Sequence, residues 1–257
     1  MAVASATMLC MEQVYAQSLD PQSVVTPLDP DWVGALLHNY NILTPWSHII
    51  TGLHHGFNVG ICDQPLHTYL FQESSDLDPA FIGSYILSEQ LANHYSQAYS
   101  PSELKSLIGP FYTSPLGLVL KPHSTIFQII QDLSYLWNNP HFQSINAGIN
   151  LNDFLTKWGT FDVTVATILA LPQGCVATTF DITAAYQLTP TCPNQQHSLC
   201  VFWKNKVYVD QAVIFGLSFS ARVFGSIADM LITIYKAASF GVVIKWVDDF
   251  LAIHLSG

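Results

Sequence analysis

Apolar positions along the chain switch repeatedly between helical and strand spacing, which predicts a mixed helix-and-sheet protein. Residues 1–30 end in a Pro-, Asp- and Ser-rich stretch, LDPQSVVTPLDPD, and read as a mobile lead-in. From Trp32 to about Gly60 short apolar pieces alternate with Gly and His, and residues 63–79 have the composition of an irregular loop. Asp78-Pro79 then starts a helix in which Phe81, Tyr85, Ile86, Leu87, Leu91 and Tyr95 recur at helical spacing. Ser100-Pro101-Ser102-Glu103 marks a second helix start.

Strand signals follow. Leu116 to Leu120 and Ile126 to Ile130 are short apolar runs around Lys-Pro-His-Ser, the pattern of two strands joined by a turn. Asn138 to Asn152 is turn-rich. Phe161 to Leu171 has helical length and stops at Pro172-Gln173-Gly174. A strand is expected over Cys175 to Asp181, then a short helical stretch to Leu188. Ser198 to Val213, centred on Lys204-Asn205-Lys206, reads as a hairpin. Ser218 to Ala238 fits a long, largely buried helix, and Val242 to Leu255 places two apolar arms around Asp248-Asp249.

Composition narrows the class. Half of the 257 residues are hydrophobic and only 10% are charged, which excludes a disordered or polyelectrolyte chain. No run reaches the length of a membrane span, because Arg222, Asp229 and Lys236 interrupt the longest apolar region, and Met1 to Cys10 lacks a basic leader. The expectation is an intracellular protein, in cytoplasm or nucleus, with no membrane contact. The five cysteines show no CxxC spacing, so neither disulfides nor zinc are expected. Charge points away from nucleic acid: eight Lys and Arg face eighteen Asp and Glu, and residues 1–176 alone carry thirteen acids and three bases. Phosphate binding normally recruits several basic groups.

Two sites nevertheless put carboxylates among apolar neighbours. Asp181 closes VATTFD before ITAAY, and Asp248-Asp249 interrupts VVIKWVDDFLAIHL. Asp181 could cap a following helix. The pair could be a hairpin turn, although Asp-Asp suits the positive φ of a two-residue turn poorly. Adjacent carboxylates also repel unless a cation sits between them. Read together, one Asp at a strand end and two on a neighbouring hairpin supply hard oxygen ligands of the kind Mg²⁺ takes. Two such ions ~3.5–4 Å apart stabilise both the attacking and leaving oxygens of a phosphoryl transfer.

The order strand–Asp–helix, hairpin, long helix, hairpin–Asp-Asp resembles the palm of reverse transcriptases. Asp181, Ala185 and Tyr186 match its D-x-x-x-A-Y motif; Phe215, Gly216, Ser220 and Phe224 match its second; Trp246-Val247-Asp248-Asp249 match x-x-D-D. GCVATTFDITAAYQLTP, LCVFWKNKVYVDQAVIFGLSFSARVFGSIADM and KWVDDF are similar to the reverse transcriptases of fungal DIRS-like retroelements, and IGPFYTSPLGLVLKP and IIQDLS to that group's fingers. The resemblance covers residues 105–257, with a weaker echo at 52–61. It implies an α+β fold of fingers and palm: a lead-in at 1–30, fingers with an N-terminal extension at 31–174, and a C-terminally truncated palm at 175–257. The implied palm is an antiparallel sheet packed on helices, and the thumb is expected to be absent.

The implied activity is RNA-directed DNA polymerisation of a retrotransposon: nucleotidyl transfer from a deoxynucleoside triphosphate onto a primer 3′-OH along an RNA or DNA template. Asp181 and Asp248 would ligate two Mg²⁺ ions, Mn²⁺ being a substitute, with Asp249 supporting and the Ile182 carbonyl helping to hold the nucleotide's metal. Tyr186 would be the steric gate against a 2′-OH, Phe215-Gly216 would lie under the incoming nucleotide, and Lys121 and Gln128 would face its triphosphate. Tyr186 as a plain core tyrosine and Lys121 as a solvated turn lysine stay open.

The chain departs from this pattern in one direction. Gln128 stands where an arginine faces the triphosphate, and a neutral amide supplies neither charge nor a bidentate fork. Bases expected near Trp137, Gln187 and Cys192 are missing, whereas Arg222, the sole arginine, falls inside the helix expected to be buried. Cytosine deamination of the encoding DNA converts arginine codons to those of Gln, Trp, His or Cys and would explain the acidic balance. The expectations are therefore an impaired polymerase, an inactive degenerate fragment of the same fold, or an unrelated acidic interaction module whose Asp181 lies far from Asp248.

Overall fold

The computed structural model describes residues 20–61, 78–121, 124–135, 143–149 and 156–254. The expected loop at 63–79 lies almost wholly outside them, as do residues 1–19 and the Pro122-His123 tip of the first expected turn.

Helix starts follow local capping chemistry. The Asp29 carboxylate accepts the Asp31 and Trp32 amides to open α1 (Pro30–Asn39), and Asp78 does the same for Ala80 and Phe81 at α3 (Pro79–Leu91). Ser100 and Glu103 form a reciprocal capping box at α4 (Pro101–Ile108). Between α1 and α3 lies α2 (Leu43–His55), which has no side-chain cap. Helices α1 and α2 occupy a region where the sequence offered only short apolar pieces. They pack on each other through Val33, Leu37, Ile49 and Leu53.

Residues 20–29 are not a mobile lead-in. Gln22 Nε2 donates to the Pro193 carbonyl at 2.7 Å, Thr26 Oγ to the Leu188 carbonyl at 2.7 Å, and Gln196 Nε2 to the Ser23 carbonyl at 2.7 Å. Side chains and backbone carbonyls of this segment find partners far along the chain, which a composition-based reading cannot see.

Three antiparallel sheets follow. β1 (Leu116–Leu120) pairs with β2 (Phe127–Gln131), and β4 (Cys200–Trp203) with β5 (Lys206–Val209). The β4–β5 turn, Lys204-Asn205, has φ of 46° and 62°, as a type I′ hairpin requires. The third sheet has the order β3-β7-β6, from β3 (Val176–Asp181), β6 (Val242–Trp246) and β7 (Asp249–His254). Before β3, α5 (Phe161–Ala170) forms as expected but carries no buried residue. The short α6 is Pro193–Gln196.

The expected helix from Asp181 to Leu188 does not form. Residues 183–188 are turns, and Ala184 sits at φ +54°, outside the right-handed helical region. The long helix does form, as α7 (Ser220–Ala237), but it buries one stripe: Val223, Phe224, Ile227, Ala228 and Met230. Arg222 precedes that stripe and is half-buried, which corrects the expectation of a buried arginine. The stripe joins Leu37, Leu53, Tyr186, Phe219 and Phe250 in the main core. A second cluster, around Ile82, Leu118, Val201 and Trp203, ties α3 to β1 and the β4–β5 hairpin. Among the described residues no helix is long and apolar enough to cross a membrane.

Candidate active site

Asp181 is the last residue of β3 and Asp249 the first of β7, and the two are paired in register. Directly opposed residues of an antiparallel pair share a face, with Cβ atoms about 4.5–5.5 Å apart. Asp181 therefore neighbours Asp249, and both are exposed. Trp246 also pairs with Asp249, so Val247 and Asp248 are the two residues of the β6–β7 turn.

That turn is strained. Val247 has φ +56°, a conformation a β-branched side chain rarely adopts, with a penalty of about 1–3 kcal/mol. It is fastened from the other strand: the Ile182 amide donates to the Asp248 carbonyl at 3.0 Å. Asp181, Ile182, Asp248 and Asp249 are thus brought together at one end of the sheet. Two alternatives from the sequence fail here. Asp181 has no helix to cap, and it does not lie far from Asp248.

Tyr186 sits beside this cluster. Burial raises its phenol pKa first, and the Asp248 charge raises it further. Its ring is at the core surface, 4.5 Å from the Phe215 ring and 6.2 Å from Phe224 between centroids. Tyr186 is therefore a core residue that also neighbours the carboxylate cluster. Phe215 is 56% exposed. Gly216 next to it has φ +93°, and a Cβ there would lie 2.9 Å from the Gln131 carbonyl, so only glycine fits.

Gln128 pairs with Val119 in the β1–β2 sheet. It lines a cavity of ≈ 60 Å³ together with Phe215, Gln187, Glu89, Tyr95 and Asp210, and none of the lining residues is basic. Lys121 is exposed, its amide donates to the Ile126 carbonyl at 3.0 Å, and it does not line this cavity.

Three residues not singled out from the sequence shape the surroundings. Asp210 is buried, and desolvation drives its carboxyl pKa well above the usual range against the Ala212 amide donated to it at 3.1 Å. Asn146 holds the Phe215–Ser218 loop through its side-chain amide. Lys245, on β6, is buried with its ammonium 3.1 Å from the Asp229 carboxylate of α7. Only Asn146 had a local signal, its turn-rich segment; the other two depend on contacts distant in sequence. Among the described residues no three His, Cys, Asp or Glu side chains gather closely enough to hold a metal ion by themselves.

Order and register together define a reverse-transcriptase-like fold. The native prototype foamy virus protease-reverse transcriptase matches 77% of this chain with a TM-score of 0.52 at 20% identity. The foamy viral protease-reverse transcriptase in complex with an RNA/DNA hybrid matches 88% with a TM-score of 0.55 at 14% identity. The same protein in complex with double-stranded DNA matches 90% with a TM-score of 0.54 at 13% identity. The chain spans only 23%, 29% and 46% of those three chains. No protein-family model and no curated protein matches the chain in sequence.

Proposed function

We propose that this chain is the polymerase portion of a DIRS-like retroelement reverse transcriptase, with fingers at 31–174 and a palm from 175. It would transfer a deoxynucleotide from its triphosphate to a primer 3′-OH on an RNA or DNA template. The observation that carries this reading is the register setting Asp181 beside Asp249, with Asp248 on the fastened turn and Tyr186 next to it. The foamy viral proteins crystallised with hybrid and duplex support the choice of template–primer as partner.

The donor set fits a hard divalent ion. It is all oxygen and solvent-accessible, and Mg²⁺ commonly takes one or two carboxylates and completes its shell with water and substrate phosphates. A tight group of three carboxylates is not required. Asp181, Asp248 and Asp249, with the Ile182 carbonyl, would hold two Mg²⁺ or Mn²⁺ ions. Bound there, the metal neutralises phosphate charge and eases deprotonation of the primer hydroxyl. Tyr186, fixed against Phe224, limits space beside the sugar and disfavours a 2′-OH. Phe215 offers its exposed ring to the base or sugar, Gly216 keeps the floor low, and Lys121, next to β1, would bring a positive charge towards the triphosphate.

A second reading keeps the fold and denies turnover. Gln128 brings no charge to a polyphosphate, and the cavity beside it carries Glu89 and Asp210 instead. Primer extension on poly(rA)/oligo(dT) with Mg²⁺, beside Asp248→Asn, separates the readings. Extension by the parent chain, abolished in the variant, is the expected result; no extension by either supports the inactive fold.

A further inference from the structure

We propose that Asn146 is a positioning residue that locks the Phe215–Ser218 loop in the shape that receives the incoming nucleotide, an inference resting on the polymerase reading above. The loop joins β5 to α7 and is irregular, so its polar groups need partners outside a ladder or helix. Ser220 Oγ donates to the Ile214 carbonyl. The next two groups go to one side chain. Asn146 Nδ2 donates to the Gly216 carbonyl at 2.8 Å, and Asn146 Oδ1 accepts the Ser218 amide at 2.8 Å.

The clamp is itself anchored. The second Nδ2 hydrogen goes to Ser134 Oγ at 2.9 Å, and the Asn146 backbone amide donates to the Leu133 carbonyl at 3.1 Å. Ser134 is held in turn by its amide on Asp132 Oδ1 at 3.0 Å. Both amide hydrogens and one oxygen lone pair are therefore committed, which fixes the orientation of the amide. No other residue of this size matches the pattern. Aspartate would keep the Ser218 bond but face the Gly216 carbonyl with a second acceptor, and alanine would lose both bonds.

The consequence reaches the site through Phe215. Gly216, at φ +93°, lies against the Gln131 carbonyl, and Phe215 packs on Tyr186 with ring centroids 4.5 Å apart and planes tilted by 58°. Fixing Gly216 and Ser218 fixes the ring between them and the gate tyrosine. Asn146 comes from a segment 70 residues away, so it also couples the β2-side turn to the floor of the pocket.

Amide hydrogen exchange and dTTP incorporation on poly(rA)/oligo(dT) with Mg²⁺, on the full chain, Asn146→Ala and Asn146→Asp, test this. In Asn146→Ala the Ser218 amide is expected to exchange about tenfold faster, and KM for dTTP to rise about tenfold with kcat within about twofold. In Asn146→Asp the Ser218 amide stays protected while KM rises about threefold, because the Gly216 carbonyl loses its donor. A Ser218 amide still protected in Asn146→Ala overturns the clamp. Lost protection with unchanged KM overturns the positioning role. If Asn146→Ala does not fold, the aspartate variant decides: a KM equal to the parent's overturns the proposal. A parent chain that incorporates nothing removes the polymerase reading and the positioning role with it, while the exchange result still judges the clamp.

Discussion

Replacing Lys245 with methionine is expected to remove a cation that the fold has taken almost wholly out of water. Lys245 is 2% exposed, and its ammonium donates to Thr156 Oγ at 2.8 Å and to the Gly225 carbonyl at 2.6 Å. It also lies 3.1 Å from Asp229 Oδ1 and 4.9 Å from the Trp158 ring centroid. Burial lowers its pKa, and the Asp229 hydrogen bond and charge oppose that shift. Methionine fits the apolar part of the space but leaves Asp229, whose side chain is 26% exposed, without its counter-charge. Breaking a buried pair costs about 3–5 kcal/mol, and the partial exposure of Asp229 selects the low end, about 3 kcal/mol. For a chain of this size that is a fall in Tm of roughly 6–12 °C. Urea unfolding followed by tryptophan fluorescence reads it, since Trp158 packs beside the ammonium and its ring lies 6.0 Å from that of Trp246 between centroids. The double variant Lys245→Met/Asp229→Leu is expected to regain more than half of the loss, because no charge is left unpaired. A single variant within about 0.5 kcal/mol of the parent refutes the reasoning, since a surface substitution does no more.

Other consequences follow from the same geometry. Because the folded Asp210 carboxyl holds its proton well above the ordinary value of about 4, parent stability falls as pH rises from there through the folded pKa. Asp210→Asn keeps an acceptor for the Ala212 amide, flattens that slope and raises stability at pH 7 in urea unfolding; an unchanged slope contradicts it. Val247→Gly relieves the left-handed strain and raises stability by about 1 kcal/mol, while a loss shows that Val247 packing outweighs its backbone. Gln128→Arg places a fork-shaped cation beside Phe215 and lowers the KM for dTTP about tenfold; an unchanged KM puts the triphosphate elsewhere.

Much of the architecture was legible because local rules agreed with global packing. Asp78-Pro79, the Ser100–Glu103 box and the Lys204-Asn205 turn each carry their own cap or turn chemistry, and the elements form there. The apolar arms around Asp248-Asp249 became β6 and β7 with the turn one residue earlier than the Asp pair, at Val247-Asp248. The failures have equally local causes. Helix α2 lacks a capping side chain, so nothing in the sequence announces its start. Ala184, an excellent helix former, takes φ +54° in the turn after β3 and ends the helix that its neighbours suggest. Asn146, Asp210 and Lys245 looked like ordinary polar residues because their surroundings are assembled from distant segments. Gln128 and Phe215, far apart in sequence, line one cavity, and Lys121 does not line it.

Asp181, Asp248 and Asp249 are proposed to hold divalent metal at the end of the β3–β7 pair. Mn²⁺ titration followed by electron paramagnetic resonance, with poly(rA)/oligo(dT) and dTTP present, tests it whether or not turnover occurs. About two protein-dependent Mn²⁺ per ternary complex are expected, reduced in Asp181→Asn and in Asp249→Asn while the fold and Tm persist. Equal Mn²⁺ binding by the parent and both variants would contradict it.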